Sequence, residues 1–210
     1  MSVPVDPKVV SQVTLGHYQR HASRFQEGTQ DHDVSQNIDA LLRHIPVSAP
    51  CRILDFGCGP GRDLVTFRRL GHEPVGLDGA PAFVEMARAN SGCEVWHQDF
   101  LALSLPKAYF DGVFANASLF HVPLAHLGQV LMHLRGTLKP GGVLFCSNPR
   151  GGNQEGWNGE RYAVYHDYDS WHALLTQAGL IELEHYYRPP GLPRDQQPWL
   201  ATVWRKPDVA

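Results

Sequence analysis

The 210-residue chain carries 18 Lys and Arg against 21 Asp and Glu, a formal charge of −3, and 43% of its side chains are hydrophobic. That length suits one hydrophobic core better than two, no apolar run nears the roughly 20 residues of a bilayer span, and the interleaved charges form no basic stripe for a nucleic-acid backbone. A single domain over 1–210 acting on a small molecule is expected, in the cytoplasm, because MSVPVDPKVV lacks the basic region and apolar stretch of a secretory signal.

From about Pro7 to Phe25, the spacing of Val10, Val13, Leu15, Tyr18, Ala22 and Phe25 predicts one helix or two with an apolar face. Ile38, Leu41, Leu42 and Ile45 recur at i, i+3, i+4 and i+7, which predicts a helix starting at Asp33 or Ser35 and stopped by Pro46 and Pro50. Between them EGTQDHDVSQN, residues 27–37, sets His32 between Asp31 and Asp33. A metal would need further ligands that no neighbouring motif supplies, so no metal is expected; a helix start and a segment meeting substrate are compatible readings. Beyond Pro50, RILDF, DLVTFRRL, PVGLD, APAFVEMARAN, CEVWHQD, YFDGVFAN and GGVLFCSN alternate strand-like and helical runs. Such alternation predicts an α/β fold with a mostly parallel sheet covered on both faces. YDSWHALLTQAG reads as a helix closed by Gly179, followed by IELEHYYR and WLATVWRK as an antiparallel hairpin. Cys51, Cys58, Cys93 and Cys146 form no C-x-x-C pair, which argues against a zinc ribbon or a redox dithiol.

In ILDFGCGPGRDL a strand ends at Asp55 and a helix begins near Arg62, with Gly57, Gly59 and Gly61 between. Glycines there let the backbone approach a ligand, and the helix N-terminus offers free N–H groups. A G-x-G-x-x-G dinucleotide motif would put glycine at position 62, where arginine stands, which weakens an NAD reading.

Asp55-x-Gly57-x-Gly59-x-Gly61 resembles the first motif of the class I S-adenosylmethionine-dependent methyltransferases, and other matches follow in order. The resemblance implies a Rossmann-like fold with a seven-stranded sheet, N-terminal lid helices over about 1–46 and a core over 51–206. It implies that Asp78 accepts hydrogen bonds from the cofactor ribose, that Asp99 and Phe100 read adenine, and that Lys139-Pro140-Gly141-Gly142 turns into the fifth strand. Asp78 could also cap the following helix, and Asp99 a turn. Tyr18 is similar to a lid tyrosine that reaches the methionyl carboxylate, and Asp33, Gln36 and Asn37 would face the substrate.

FQEGTQDHDVSQN, FANASLFHVP, SNPRGGNQEGWNGERY and EHYYRPPGLPRDQQPWLATVWRK more closely resemble the methyltransferases of ovothiol biosynthesis, in the form free of the iron-dependent sulfoxide synthase portion. Their reaction is methylation of 5-thiohistidine at the ring nitrogen nearer the backbone. The activated sulfonium methyl asks the protein mainly to align the nucleophile and exclude water. An imidazole must present a lone pair at one nitrogen while the other keeps its proton, and an amino-acid carboxylate calls for an arginine. Asn116 and His121 are therefore the expected catalytic residues, Asn116 also touching the cofactor. Phe120, His121, Arg150, Tyr162, Tyr165 and Arg188 are expected at the substrate, with Arg150 first as carboxylate clamp and Trp157 on a mobile glycine-rich loop. His121 could instead cap a helix, and Tyr162 and Tyr165 could be core. Other small nucleophiles (thiol, phenol, carboxylate) and a non-catalytic cofactor-binding module are the alternatives.

Overall fold

A computed structural model of the chain describes residues 6–208. The opening MSVPV, on which the expectation about a leader partly rests, lies outside the described residues. Asp6 caps helix α1 (Pro7–Arg20), its carboxylate accepting the Lys8 N–H at 2.9 Å, and α2 (Ala22–Thr29) follows after one residue. The second predicted helix forms as α3 (Ser35–Leu42); the Asp33 carboxylate accepts the Ser35 N–H at 2.9 Å and so turns the chain into it.

Strands β1 (Arg52–Phe56), β2 (Glu73–Asp78), β3 (Glu94–His97), β4 (Phe110–Asn116) and β5 (Leu138–Pro149) run parallel. Helices α4 (Arg62–Arg69), α5 (Pro81–Ser91) and α6 (Leu124–Thr137) make three of the crossovers. After β5 the chain forms a separate two-stranded hairpin, β6 (Gln154–Asn158) with β7 (Arg161–Tyr165), where a glycine-rich loop was expected. The run RYAVY is β-branched and aromatic enough to pair, and Gly159 takes the turn at φ 61°. Helix α7 (Tyr168–Gln177), β8 (Ile181–Arg188) and β9 (Trp199–Arg205) complete the chain. The seven-stranded order is β3-β2-β1-β4-β5-β9-β8, with β9 antiparallel to both neighbours. The expected hairpin thus exists, with β9 inside the sheet and β8 on its edge.

Successive residues of a strand face opposite sides, and both sides are apolar here. Ile53, Phe114, Val143, Phe145 and Val203 meet Ile38, Leu41 and Ile45 from the α3 region and Phe67 of α4. Leu54, Phe56, Val113, Leu144 and Trp204 meet Leu127, Leu131 and Leu134 of α6 with Trp171 and Leu175 of α7. Full burial on two faces fixes the strand ends, and with them every side chain that enters the cleft above. Among the described residues no helix is long and apolar enough to cross a membrane.

Candidate active site

A cavity of about 730 Å³ opens beside the C-terminal ends of the parallel strands, where open α/β sheets take ligands, and its size suits a small-molecule site. One half is built by the glycine loop. Gly57 has φ 79°, and a Cβ there would lie 2.5 Å from the Ser118 Cβ, so the loop passes closer to the β4 end than any side chain permits. The buried Asp78 accepts the Gly59 N–H at 3.0 Å through Oδ2 and the Ala80 N–H at 2.9 Å through Oδ1. It is therefore a cap and a cavity-lining carboxylate together, each oxygen keeping a further lone pair. Burial raises its pKa to about 6, against the pull of those N–H groups. Asp99 and Phe100 also line this half; Phe100 stacks on Phe56 at 4.1 Å, and Asp99 accepts the Leu101 N–H at 2.9 Å and the Ser11 hydroxyl of α1.

The N-terminal segment forms the opposite wall. Arg62 donates to the Thr29 carbonyl at 2.8 Å and is forked onto Asp63, and Arg188 donates to the Asp33 carbonyl at 2.8 Å. Asn37 donates to Asn116 Oδ1 at 3.0 Å and accepts from the Tyr186 hydroxyl at 2.9 Å. Asn116 thereby keeps its NH₂ group for a ligand. Phe120 meets Trp199 edge-on at 6.4 Å, and both line the cavity.

His121 is held from two sides. Its Nδ1 lies 2.7 Å from the Tyr162 carbonyl and its Nε2 2.7 Å from the Tyr18 hydroxyl. A carbonyl only accepts, so Nδ1 carries the proton and Nε2 accepts from Tyr18. Burial lowers the imidazole pKa to about 4. With both nitrogens engaged, His121 has no lone pair for a substrate proton, which corrects its expected hydrogen bond to the substrate, while its ring still lines the cavity. The depressed pKa also carries a stability prediction. Neutral His121 contributes fully above the ordinary imidazole value of 6.5, and the contribution is lost as pH falls through about 4. Its upper bound is about 3 kcal/mol, reduced by any water in the cavity. Asp78 opposes it, because a raised carboxyl pKa penalises the fold above about 6 and relieves it on acidification. Melting temperature should therefore fall more between pH 6.5 and 4 in the parent than in His121→Asn, the Asp78 effect cancelling between them. Equal slopes would refute a buried neutral ring.

Tyr18, Gly57, Gly59, Asp78, Asp99, Phe100, Asn116, Asp33, Asn37, Phe120, His121 and Arg188 all line the cavity as expected of their positions. Six others do not. Asp55 is buried beneath the loop, its Oδ2 without a partner, and burial beside Asp63 raises its pKa. Gly61 packs against α5, where a Cβ would lie 2.8 Å from the Ala87 Cα. Gln36 is not part of the cavity lining; Asn37 takes the inward direction, and neighbouring helix residues diverge by about 100°. Arg150 donates to the Arg194 carbonyl at 3.0 Å and lies over Tyr187, outside the cavity. Tyr162 is core, packed with Val10 and Val164, and meets Trp157 edge-on at 5.3 Å. Tyr165 lies against Gly151, whose added Cβ would be 2.4 Å from the Tyr165 Cβ. Unforeseen in the lining are Arg161, Trp199 and Phe25, the last standing 3.7 Å from where a Gly59 Cβ would be. Asp31 and His32 also line it, but no group of three or more His, Cys, Asp or Glu among the described residues is arranged to hold a metal.

Residues 53–142 match a family described as "Methyltransferase domain". A trans-aconitate 2-methyltransferase from Methylobacterium nodulans is 35% identical over 111 residues, 52% of this chain and 42% of that protein. A malonyl-[acyl-carrier protein] O-methyltransferase from Enterobacter lignolyticus is 31% identical over 145 residues, 67% of this chain and 53% of that one. The chain thus spans about half the length of these curated relatives. Among solved structures, the 1,6-didemethyltoxoflavin-N1-methyltransferase of Burkholderia thailandensis, with bound 1,6-didemethyltoxoflavin and S-adenosylhomocysteine, superposes with a TM-score of 0.79 at 20% identity. That match covers 99% of this chain and 94% of the other.

Proposed function

We propose that the chain, whose residues 53–142 match a methyltransferase domain, is a class I S-adenosylmethionine-dependent methyltransferase that methylates a small molecule in line, and specifically 5-thiohistidine at the imidazole nitrogen nearer its backbone. The observation that carries the reading is one cavity joining two kinds of wall. The glycine loop, Asp78, Asp99 and Phe100 suit an adenosyl group, while Asn37, Asn116, Phe120, Trp199 and Arg188 suit a small polar ring with a carboxylate.

The fit to the cofactor rests on the cradle at Gly57 and on the buried Ser118 Oγ, which lines the cavity without a partner. When bound, the cofactor supplies a sulfonium methyl that needs no further activation. Asp78 would hold the ribose, and Asp99 with Phe100 the adenine. Phe120 and Trp199 would confine the imidazole, and the N-terminal wall would exclude water. Asp33 remains ionised, because the Ser35 N–H lowers its pKa, so it can accept the proton of the ring nitrogen that is not methylated. That contact would select the reactive tautomer in the place proposed from sequence for His121. Arg188 replaces Arg150 as the substrate carboxylate clamp. The imidazole specificity itself rests on the four resembling segments, and a protein of similar fold is an N1-methyltransferase with 1,6-didemethyltoxoflavin bound.

A second reading, O-methylation of a carboxylic acid, is favoured by Arg161 and Arg188, two of the three arginines in the cavity, and by the trans-aconitate relative. Incubation of purified protein and S-adenosylmethionine with 5-thiohistidine, histidine, a free thiol and trans-aconitate separates the readings. N-methylated thiohistidine by NMR is expected as the favoured product. A methyl ester would select the second reading, and cofactor binding without turnover on any of them would remove the proposed thiohistidine chemistry.

A further inference from the structure

Arg161 stands at the start of β7, on a hairpin that lies outside the seven-stranded sheet, and its side chain lines the cavity. The neighbouring Glu160 is engaged elsewhere, accepting from His17 at 3.1 Å and Arg20 at 2.8 Å of α1. Of the other cavity arginines, Arg62 is forked onto Asp63, and Arg188, the proposed substrate clamp, is tethered to the Asp33 carbonyl. Among the described residues no carboxylate forms an ion pair with Arg161.

The hydrogen bonds beside it have one possible direction. The Tyr162 carbonyl accepts from His121 Nδ1, so His121 Nε2 must accept from the Tyr18 hydroxyl. Tyr18 has then spent its proton, and its oxygen can only accept from anything else. A carboxylate brought to Tyr18 would meet lone pairs and be repelled, which changes the role the resemblance implies for this tyrosine. Arg161 lines the same cavity and directly precedes Tyr162, whose carbonyl holds the imidazole that Tyr18 holds from the other side, and its guanidinium pulls the Tyr18 phenol down against the rise that burial imposes. Tyr18 meets Phe25 edge-on at 5.6 Å, and Phe25 stands 3.7 Å from where a Gly59 Cβ would be, so this end of the cavity adjoins the glycine loop.

We propose that Arg161 anchors the carboxylate at the amino-acid end of the cofactor, and that His121 is a positioning residue that fixes Arg161 through Tyr18. The assignment rests on the cofactor reading above. It also accounts for the β6–β7 hairpin, which delivers to one cavity wall both the cation and, one residue on, the carbonyl that sets the tautomer of its supporting imidazole.

Equilibrium binding of S-adenosylhomocysteine and of 5′-methylthioadenosine, which lacks the amino-acid end, tests this. Arg161→Ala should weaken S-adenosylhomocysteine by about 30-fold or more and 5′-methylthioadenosine by less than about threefold, with Arg161→Lys between, since a point charge replaces the planar fork. Tyr18→Phe and His121→Asn should each weaken S-adenosylhomocysteine alone, by about three- to tenfold, and add nothing in the Arg161→Ala background, as expected of residues acting through one group. Equal weakening of both ligands, or of neither, overturns the assignment. A raised KM for the methyl acceptor with both nucleosides unaffected would give Arg161 to a substrate carboxylate instead and equally overturn it. If neither nucleoside binds the parent protein, the cofactor reading itself fails.

Discussion

Gly57→Ala should abolish useful cofactor affinity, lowering S-adenosylhomocysteine binding by about 100-fold or more, equivalent to about 2.7 kcal/mol. The added methyl carbon would sit 2.5 Å from the Ser118 Cβ and 3.2 Å from the Phe100 Cζ. Carbon atoms prefer about 3.5–4.0 Å, so Ser118 and Phe100 must yield into the cavity or the loop must rise. Phe100 cannot retreat easily, because it is stacked on the fully buried Phe56. The backbone adds to the cost: φ is 79° at Gly57, and an L side chain in that region costs roughly 1–2 kcal/mol before any clash. Isothermal titration with a parallel thermal melt separates lost affinity from lost folding. An affinity within threefold of the parent would mean that the loop does not approach a ligand.

Asp78→Asn should weaken the same ligand by about 10- to 100-fold, since charge-assisted hydrogen bonds are worth about 1.5–3 kcal/mol. The carboxylate already receives the Gly59 and Ala80 N–H groups on its two oxygens. A carboxamide would turn an NH₂ group toward one of them, disturbing the loop as well as the ribose contact. Because burial raises this carboxyl to about 6, affinity in the parent should fall as pH drops through 6 and the acceptor becomes protonated. The variant should lack that step. A parent with flat affinity from pH 8 to 5 would exclude an ionised Asp78 as ribose partner.

The features legible in the sequence were those whose causes are local. The glycine spacing after Asp55 has to produce positive φ at Gly57 and Gly59, and the apolar runs from Arg52 to Ser147 can bury both faces only as parallel strands. Arg150 was misplaced through strand geometry. Ser147 lines the cavity, and alternation along β5 carries Asn148 and Arg150 to the other side. The same alternation along β7 turns Arg161 inward and Tyr162 into the core, but glycines at 151, 152, 156 and 159 concealed the strand. His121 was expected at the substrate because nothing near it in sequence announces its partners. The Tyr162 carbonyl is 41 residues further on and Tyr18 is 103 residues back. Asp55 marks the motif without entering the cavity, which shows that a motif residue can support a ligand loop from beneath.

Titration of the purified protein with S-adenosylhomocysteine, in parallel with Gly57→Ala, bears most directly on the claim that this cavity is a cofactor site. Saturable binding of one ligand per chain, lost in the variant while its melting curve remains cooperative, is the predicted result. Absence of binding to the parent, or binding that survives Gly57→Ala unchanged, would contradict it.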